Sequence, residues 1–269
     1  MKSLAYETLG LPQRQRLERF GVSRSVDLHC HCLPGLDDGP RTREEAILLC
    51  RKIVEDGVTT TIATPHQLGR YYRANSAVKV RQAVNELAAE LARENIALEI
   101  LPGADVRVDE RVIELLDAGE VLTLADRGKY LLLELPHELF VEPQPLLTAL
   151  IRRGIRPIMT HPERYPYLQG SLEIINHWVG QGAVIQITAG SLLGDFGPAA
   201  FEMAWEMTRC GLVGVVATDA HDHQRRAPRL SAAIARLWAE MGSQFARHVC
   251  LLNPLAVLDG QDIRSEVPR

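Results

Sequence analysis

Short β-branched and leucine-rich runs alternate along the chain with longer stretches in which apolar residues recur every three or four positions. The runs SVDLHCH, TTTIAT, ALEILPG, KYLLLEL, IRPIMT, AVIQIT and LVGVVAT predict strands, and the stretches between them predict helices. Within 43–56, Ile47, Leu48, Ile53 and Val54 lie mostly on one face, and Gly57 stands where a helix would stop. Ser76 is the cap of a long helix running to about Asn95, and a short helix follows over 109–118. Further helices are expected over 143–153, 171–181, 198–210 and about 227–241, and LLNPLAVLDG reads as a closing helix.

About seven βα units result, with no Pro/Gly/Ser-rich linker between halves and no repeat beyond the alternation itself. Strands that alternate with helices pair in parallel, and a closed barrel brings every strand end to one face. The expectation is therefore an α/β chain built as a TIM-like (β/α) barrel over 25–269. An N-terminal extension, 1–24, precedes it, and LPQRQRLERF there reads as a short amphipathic helix.

Polar residues recur where the apolar runs stop. His29 and His31 end SVDLHCH, His66 ends TTTIATPH, Asp105 follows LEILPG, Glu134 lies in YLLLELP, His161 ends RPIMTH, and Asp219 with His221 ends GVVATDAH. If the first strand continues through them, His29 and His31 share a face and Cys30 points the other way. Taken singly, each residue has an ordinary reading: a hydrogen-bonded imidazole, a helix cap, or, for Asp37 and Asp38 in LPGLDDGP, a turn. Their recurrence at equivalent places is what points to a metal centre. Five imidazoles and four carboxylates exceed the needs of one ion, so two or three divalent metals are expected. The N/O mixture suits manganese, iron or zinc better than calcium or magnesium.

Composition narrows the setting. The 269 residues are 46 % apolar, enough for a substantial core, and the net charge of −4 gives no broad basic field for nucleic acid or an anionic membrane. Signal-peptide and transmembrane patterns are lacking, so a cytoplasmic protein without membrane insertion is expected. The five cysteines, an odd number, read as buried free thiols. None of them is followed six residues later by arginine, so the C-x5-R loop of thiol-dependent tyrosine phosphatases is absent.

DLHCHCLPGLDDGPRTREEA, GVTTTIATPH, LPGADVR, GEVLTL, YLLLELP, THPERY, QITAGSLLG and VVATDAH together resemble the PHP (polymerase and histidinol phosphatase) superfamily. Within it they resemble the bacterial manganese-dependent protein tyrosine phosphatases of capsule and exopolysaccharide loci. The resemblance runs from Val26 to about Leu258, and HxHxxPGxDDGP belongs to the phosphatase branch. It implies a distorted (β/α)7 barrel of the PHP type and a three-metal site. His29, His31, Asp105 and Asp219 would hold the first ion, Asp105 would bridge to a second held with Glu134 and His161, and Asp38, His66 and His221 would hold the third. The family usually has glutamate where this chain has Asp105. Arg164 and Arg226 are implied as phosphate-binding residues, with Arg225 the alternative to the latter; guanidinium is a planar fork matched to phosphate oxygens.

The implied reaction is direct hydrolysis, with the ions lowering the pKa of a water near phosphorus and no protein nucleophile. The implied substrate is phosphotyrosine on a protein, typically the tyrosine-rich tail of a membrane-associated polysaccharide-assembly kinase. Two other readings are open: hydrolysis of a small phosphoester such as histidinol phosphate by the same ions, and a barrel that serves as a binding module. A metal-dependent amidohydrolase would instead carry a bridging lysine near the fourth strand, where this chain has Glu134.

Overall fold

The computed structural model describes residues 24–263; the expected helix in LPQRQRLERF lies outside the described residues. Among them the strands are β1 (Val26–Cys30), β2 (Thr60–Ala63), β3 (His66–Gln67), β4 (Glu99–Pro102), β5 (Asp105–Arg107), β6 (Tyr130–Glu134), β7 (Arg156–Thr160), β8 (Val184–Thr188) and β9 (Val213–Ala217). The α-helices are α1 (Arg43–Glu55), α2 (Ala77–Arg93), α3 (Val112–Asp117), α4 (Gln144–Arg152), α5 (Leu172–Gly180), α6 (Ala189–Leu193), α7 (Gly197–Arg209), α8 (Leu230–Met241), α9 (Ser243–Arg247) and α10 (Asn253–Leu258). Helix ends follow local chemistry: the Ser76 and Thr42 side chains accept from the backbone N–H three residues on, and Gly57 takes a φ of 102° beyond α1.

Every pairing is parallel, as the alternation predicts. The second and third strands of the seven βα units are each broken in two. β1, β2 and β4 pair as one sheet, and β3, β5, β6, β7, β8 and β9 pair as another. Pro65 interrupts the second strand, since proline cannot donate to a ladder. Gly103 interrupts the third, where a Cβ would stand 2.6 Å from Ile62 Cγ2. The first and last strands are joined at the rim, where His31 N–H donates to the Ala220 carbonyl and Asp219 N–H to the His29 carbonyl, both at 2.8 Å. The arrangement is the distorted α/β barrel expected.

Two apolar clusters hold it. The larger lies between strands and helices and includes Leu49, Ile53, Leu131, Leu133, Met159 and Trp178. The smaller fills the barrel interior with Leu28, Ile62, Leu132, Ile158 and Val215, and α10 plugs its lower end with Val257 and Leu258. Each such side chain contributes about 1.5–3 kcal/mol when fully buried. Among the described residues no helix is long and apolar enough to cross a membrane.

Candidate metal centre

The alternation of each strand carries the interior apolar face upward into a polar rim. Leu132 is followed on the same face by Glu134, Ala217 by Asp219, and Ile62 by Thr64 and then His66. Two strands need a correction to bring their histidines inward. In β1, Asp27 is opposite Thr61 but Cys30 is opposite Ala63, so one extra residue is accommodated between them. This bulge lets Leu28 pack in the interior while His29 and His31 also face inward, with Cys30 turned out to the helix-covered cluster. After β7, His161 would follow Thr160 outward. Its left-handed backbone, φ 36°, reverses the chain and turns the imidazole in, within 3.9 Å of Glu134.

Donor atoms then converge in four overlapping groups, each with all its atoms within 4.8 Å of one another: His29, His31 and Asp219; His29, Asp105 and His161; His66, Asp105 and Glu134; and His31, Asp38, His66 and His221. All nine metal-type residues singled out in the sequence thus meet at one end of the barrel. The partition differs in detail from the implied one: His161 groups with His29, and His31 joins Asp38, His66 and His221. Asp105, although a carbon shorter than glutamate, belongs to two groups, lying 3.6 Å from His29 Nε2 and 3.4 Å from His66 Nδ1.

The donors fit divalent cations. His66 Nδ1, His161 Nδ1 and Asp105 Oδ2 are buried without a hydrogen-bond partner, which costs about 1–3 kcal/mol each unless a cation or donor satisfies them. Burial, then the charge of Arg164, pushes His161 well below the ordinary imidazole value, leaving a neutral ring with a lone pair to give. Burial pushes Asp219 up, but Arg226, His29 and Arg164 outweigh it and hold the carboxyl well below the usual range. Asp105 is likewise kept ionised, burial being outweighed by His29 and His66.

A cleft of about 150 Å³ opens onto these groups, with Arg164 and Arg226 on one wall and His66, Tyr71 and Arg107 among its other lining residues. Both arginines donate to Asp219 Oδ2, Arg226 at 2.6 Å. Their guanidiniums lie 4.3 and 6.0 Å from the Phe196 ring, a cation–π platform. Arg225 lies outside this cleft.

Several supporting residues stand outside the strand-end pattern. Asp37, readable as a turn residue, accepts from His31 Nδ1 at 2.6 Å and from the His66 N–H. Gln186, a polar residue inside an apolar strand, meets His29 Nδ1 at 2.8 Å. Glu163 is fully buried and accepts from Thr188 N–H and the Ser191 hydroxyl, fixing the turn that carries Arg164. Arg107 pairs with Glu134 at 3.1 Å. In LPGLDDGP, a Cβ on Gly39 would run into the His31 carbonyl, so only glycine lets Asp37 and Asp38 approach the imidazoles.

Known proteins resemble the chain in sequence and in fold. Tyrosine-protein phosphatase YwqE of Bacillus subtilis (strain 168) is 33% identical over 245 residues, 91% of this chain and 95% of its own. Tyrosine-protein phosphatase CpsB of Streptococcus pneumoniae is 26% identical over 248 residues, 88% of this chain and 99% of its own. A structure solved in work on YwqE and CpsB, described as metal-dependent tyrosine phosphatases, superposes with a TM-score of 0.86 at 33% identity, covering 91% of this chain and 98% of that one. The family model "Capsular polysaccharide synthesis, CpsB/CapC" matches residues 25–259, and the chain belongs to that family.

Proposed function

We propose that this chain is a metal-dependent phosphatase acting on phosphotyrosine in proteins. One observation carries the reading: six of the metal-type donors and two guanidiniums line one cleft, in a chain whose relatives are named tyrosine-protein phosphatases. His29, His31, Asp38, His66, Asp105, Glu134, His161, Asp219 and His221 are the proposed ligands of two or three divalent ions, manganese first, with iron or zinc as substitutes. Such ions would lower the pKa of water in the cleft and neutralise charge on phosphoryl oxygens.

The chain's own groups do the rest. Arg164 and Arg226, already stacked against Phe196, clamp the non-reacting phosphoryl oxygens with forked N–H pairs. Asp37 and Gln186 fix the tautomer and tilt of His31 and His29. Leu68 and Tyr71, the latter stacked on His66 with rings 5.5 Å apart, give the cleft an apolar edge suited to a phenyl ring. Tyrosine leaves as a phenolate of pKa near 10 and needs less protonation than a serine alkoxide. His137, half-exposed and 3.3 Å from Glu134, stands at the rim without a necessary role as acid.

The proposed substrate is the tyrosine-rich tail of a membrane-associated polysaccharide-assembly kinase, met on the cytoplasmic side. The family's link to capsular polysaccharide synthesis supports that choice. The test is metal-depleted protein, restored with manganese and offered a phosphotyrosine peptide, a phosphoserine peptide and histidinol phosphate in parallel. Selective turnover of the first is expected; preference for histidinol phosphate, or no turnover of any, would overturn the reading.

A further inference from the structure

A second depression, of about 490 Å³, adjoins the metal cleft and shares Asp38 and His221 with it. Its other walls come from the GPR turn after Asp38, the start of α1 and the DHQR segment after His221. The charges on those walls are unequally committed. Asp222 Oδ1 accepts from the N–H of Gln224 at 2.6 Å and of Arg225 at 2.5 Å, and its Oδ2 accepts from Arg226 N–H at 3.2 Å. Glu45 Oε2 accepts from Arg41 N–H at 2.7 Å. Asp38 lies 3.4 Å from His66 and 3.5 Å from His221, within the metal cluster.

Each acid of the groove thus has at least one oxygen held by a backbone amide or lies in the metal site. The exposed guanidiniums of Arg41 and Arg225, in contrast, pair with no carboxylate among the described residues. What remains available to an anionic ligand is two arginine forks beside His223, at the lip of the site where phosphate would bind.

We propose that this groove is a subsite for the polypeptide flanking the phosphotyrosine, and that Arg41 and Arg225 select substrates with an aspartate or glutamate close to the modified tyrosine. The inference rests on the phosphotyrosine reading and adds to it a sequence preference. Continuity of the two depressions lets one extended peptide occupy both. A carboxylate there gains forked, charge-assisted hydrogen bonds without displacing any pair already made. Rim charges of this kind act on encounter and ground-state binding, so the preference falls on KM and leaves kcat nearly unchanged.

The test uses the manganese-loaded full chain and phosphotyrosine peptides in which one flanking position at a time is Glu, Ala or Lys, with para-nitrophenyl phosphate as a substrate too small to reach the groove. At one or more positions, Glu should lower KM relative to Lys by roughly tenfold. The Arg41→Glu/Arg225→Glu double variant should reverse that order while para-nitrophenyl phosphate turnover stays unchanged. Turnover of all the peptides with no dependence on flanking charge, in wild type and variant alike, overturns the subsite and leaves the phosphatase reading standing. Absence of turnover on every phosphotyrosine substrate overturns both.

Discussion

The Nδ1 of His31 lies 2.6 Å from Oδ2 of Asp37, a residue that is not itself among the grouped donors. The contact presents Nε2 of the ring toward Asp219, 3.4 Å away. Burial lowers His31, but the Asp37 charge outweighs it and raises the imidazole to about 9; burial raises Asp37, but His31, with His66, outweighs it and holds the carboxyl at about 2. Replacing Asp37 by Ala should weaken metal binding roughly 10- to 100-fold, the usual loss when a ligand histidine loses its orienting carboxylate. Metal titration followed by elemental analysis measures it; an unaltered affinity would show that the contact orients nothing.

Stripping bound metal should abolish turnover and lower thermal stability together. A ligand held at about a thousand times its dissociation constant adds about 4 kcal/mol, which for a chain of this size moves Tm by roughly 10 °C. Melting curves with and without chelator read the shift. Equal curves with full activity would contradict a metal centre.

Arg164→Ala and Arg226→Ala should each reduce kcat/KM about 10- to 100-fold, as expected for loss of a charge-assisted hydrogen bond of about 1.5–3 kcal/mol. Inhibition by inorganic phosphate should weaken in parallel, and Arg164→Lys should restore little because the planar fork is lost. Steady-state kinetics with phosphate as inhibitor decides the matter.

Thiol chemistry should separate one cysteine from four. Cys210 is exposed, whereas Cys30, Cys32, Cys50 and Cys250 are buried. Burial also pushes the Cys250 thiol above its ordinary range. A disulfide-exchange reagent should therefore titrate one thiol in the native protein and all five after denaturation; rapid native reaction of more than one would mean the barrel opens readily.

Gly103→Ala should destabilise the fold by about 1–3 kcal/mol, because the added methyl meets Ile62 Cγ2 at 2.6 Å and Leu124 Cδ2 at 3.3 Å in the packed interior. Urea denaturation measures the change. A variant as stable as the parent would mean that β4 and β5 can separate without strain.

The fold was legible because strands of this type are buried on both faces: LLLEL and VIQIT read as continuous apolar runs where a half-exposed strand would alternate. The ligands were legible because strand ends in such a fold share one rim. Other features lie below the resolution of pattern. TTTIATPH reads as one strand, although Pro65 divides it between two pairings. Nothing in SVDLHCH announces the residue that breaks register before Cys30. In LPGLDDGP the two neighbouring aspartates look alike, yet Asp37 faces the back of an imidazole and Asp38 the front of two others. Local sequence sets their order along the chain, and only the loop's path sets where each carboxylate points.

That extra residue in β1 also decides what lies beneath the ions. Strict alternation would have sent either Leu28 or His29 outward, leaving a mixed tier between oily floor and charged rim. With both turned in, hydrocarbon abuts imidazole directly. Both openings described onto the cluster, the cleft and the groove beside it, therefore lie on the polar side of that boundary.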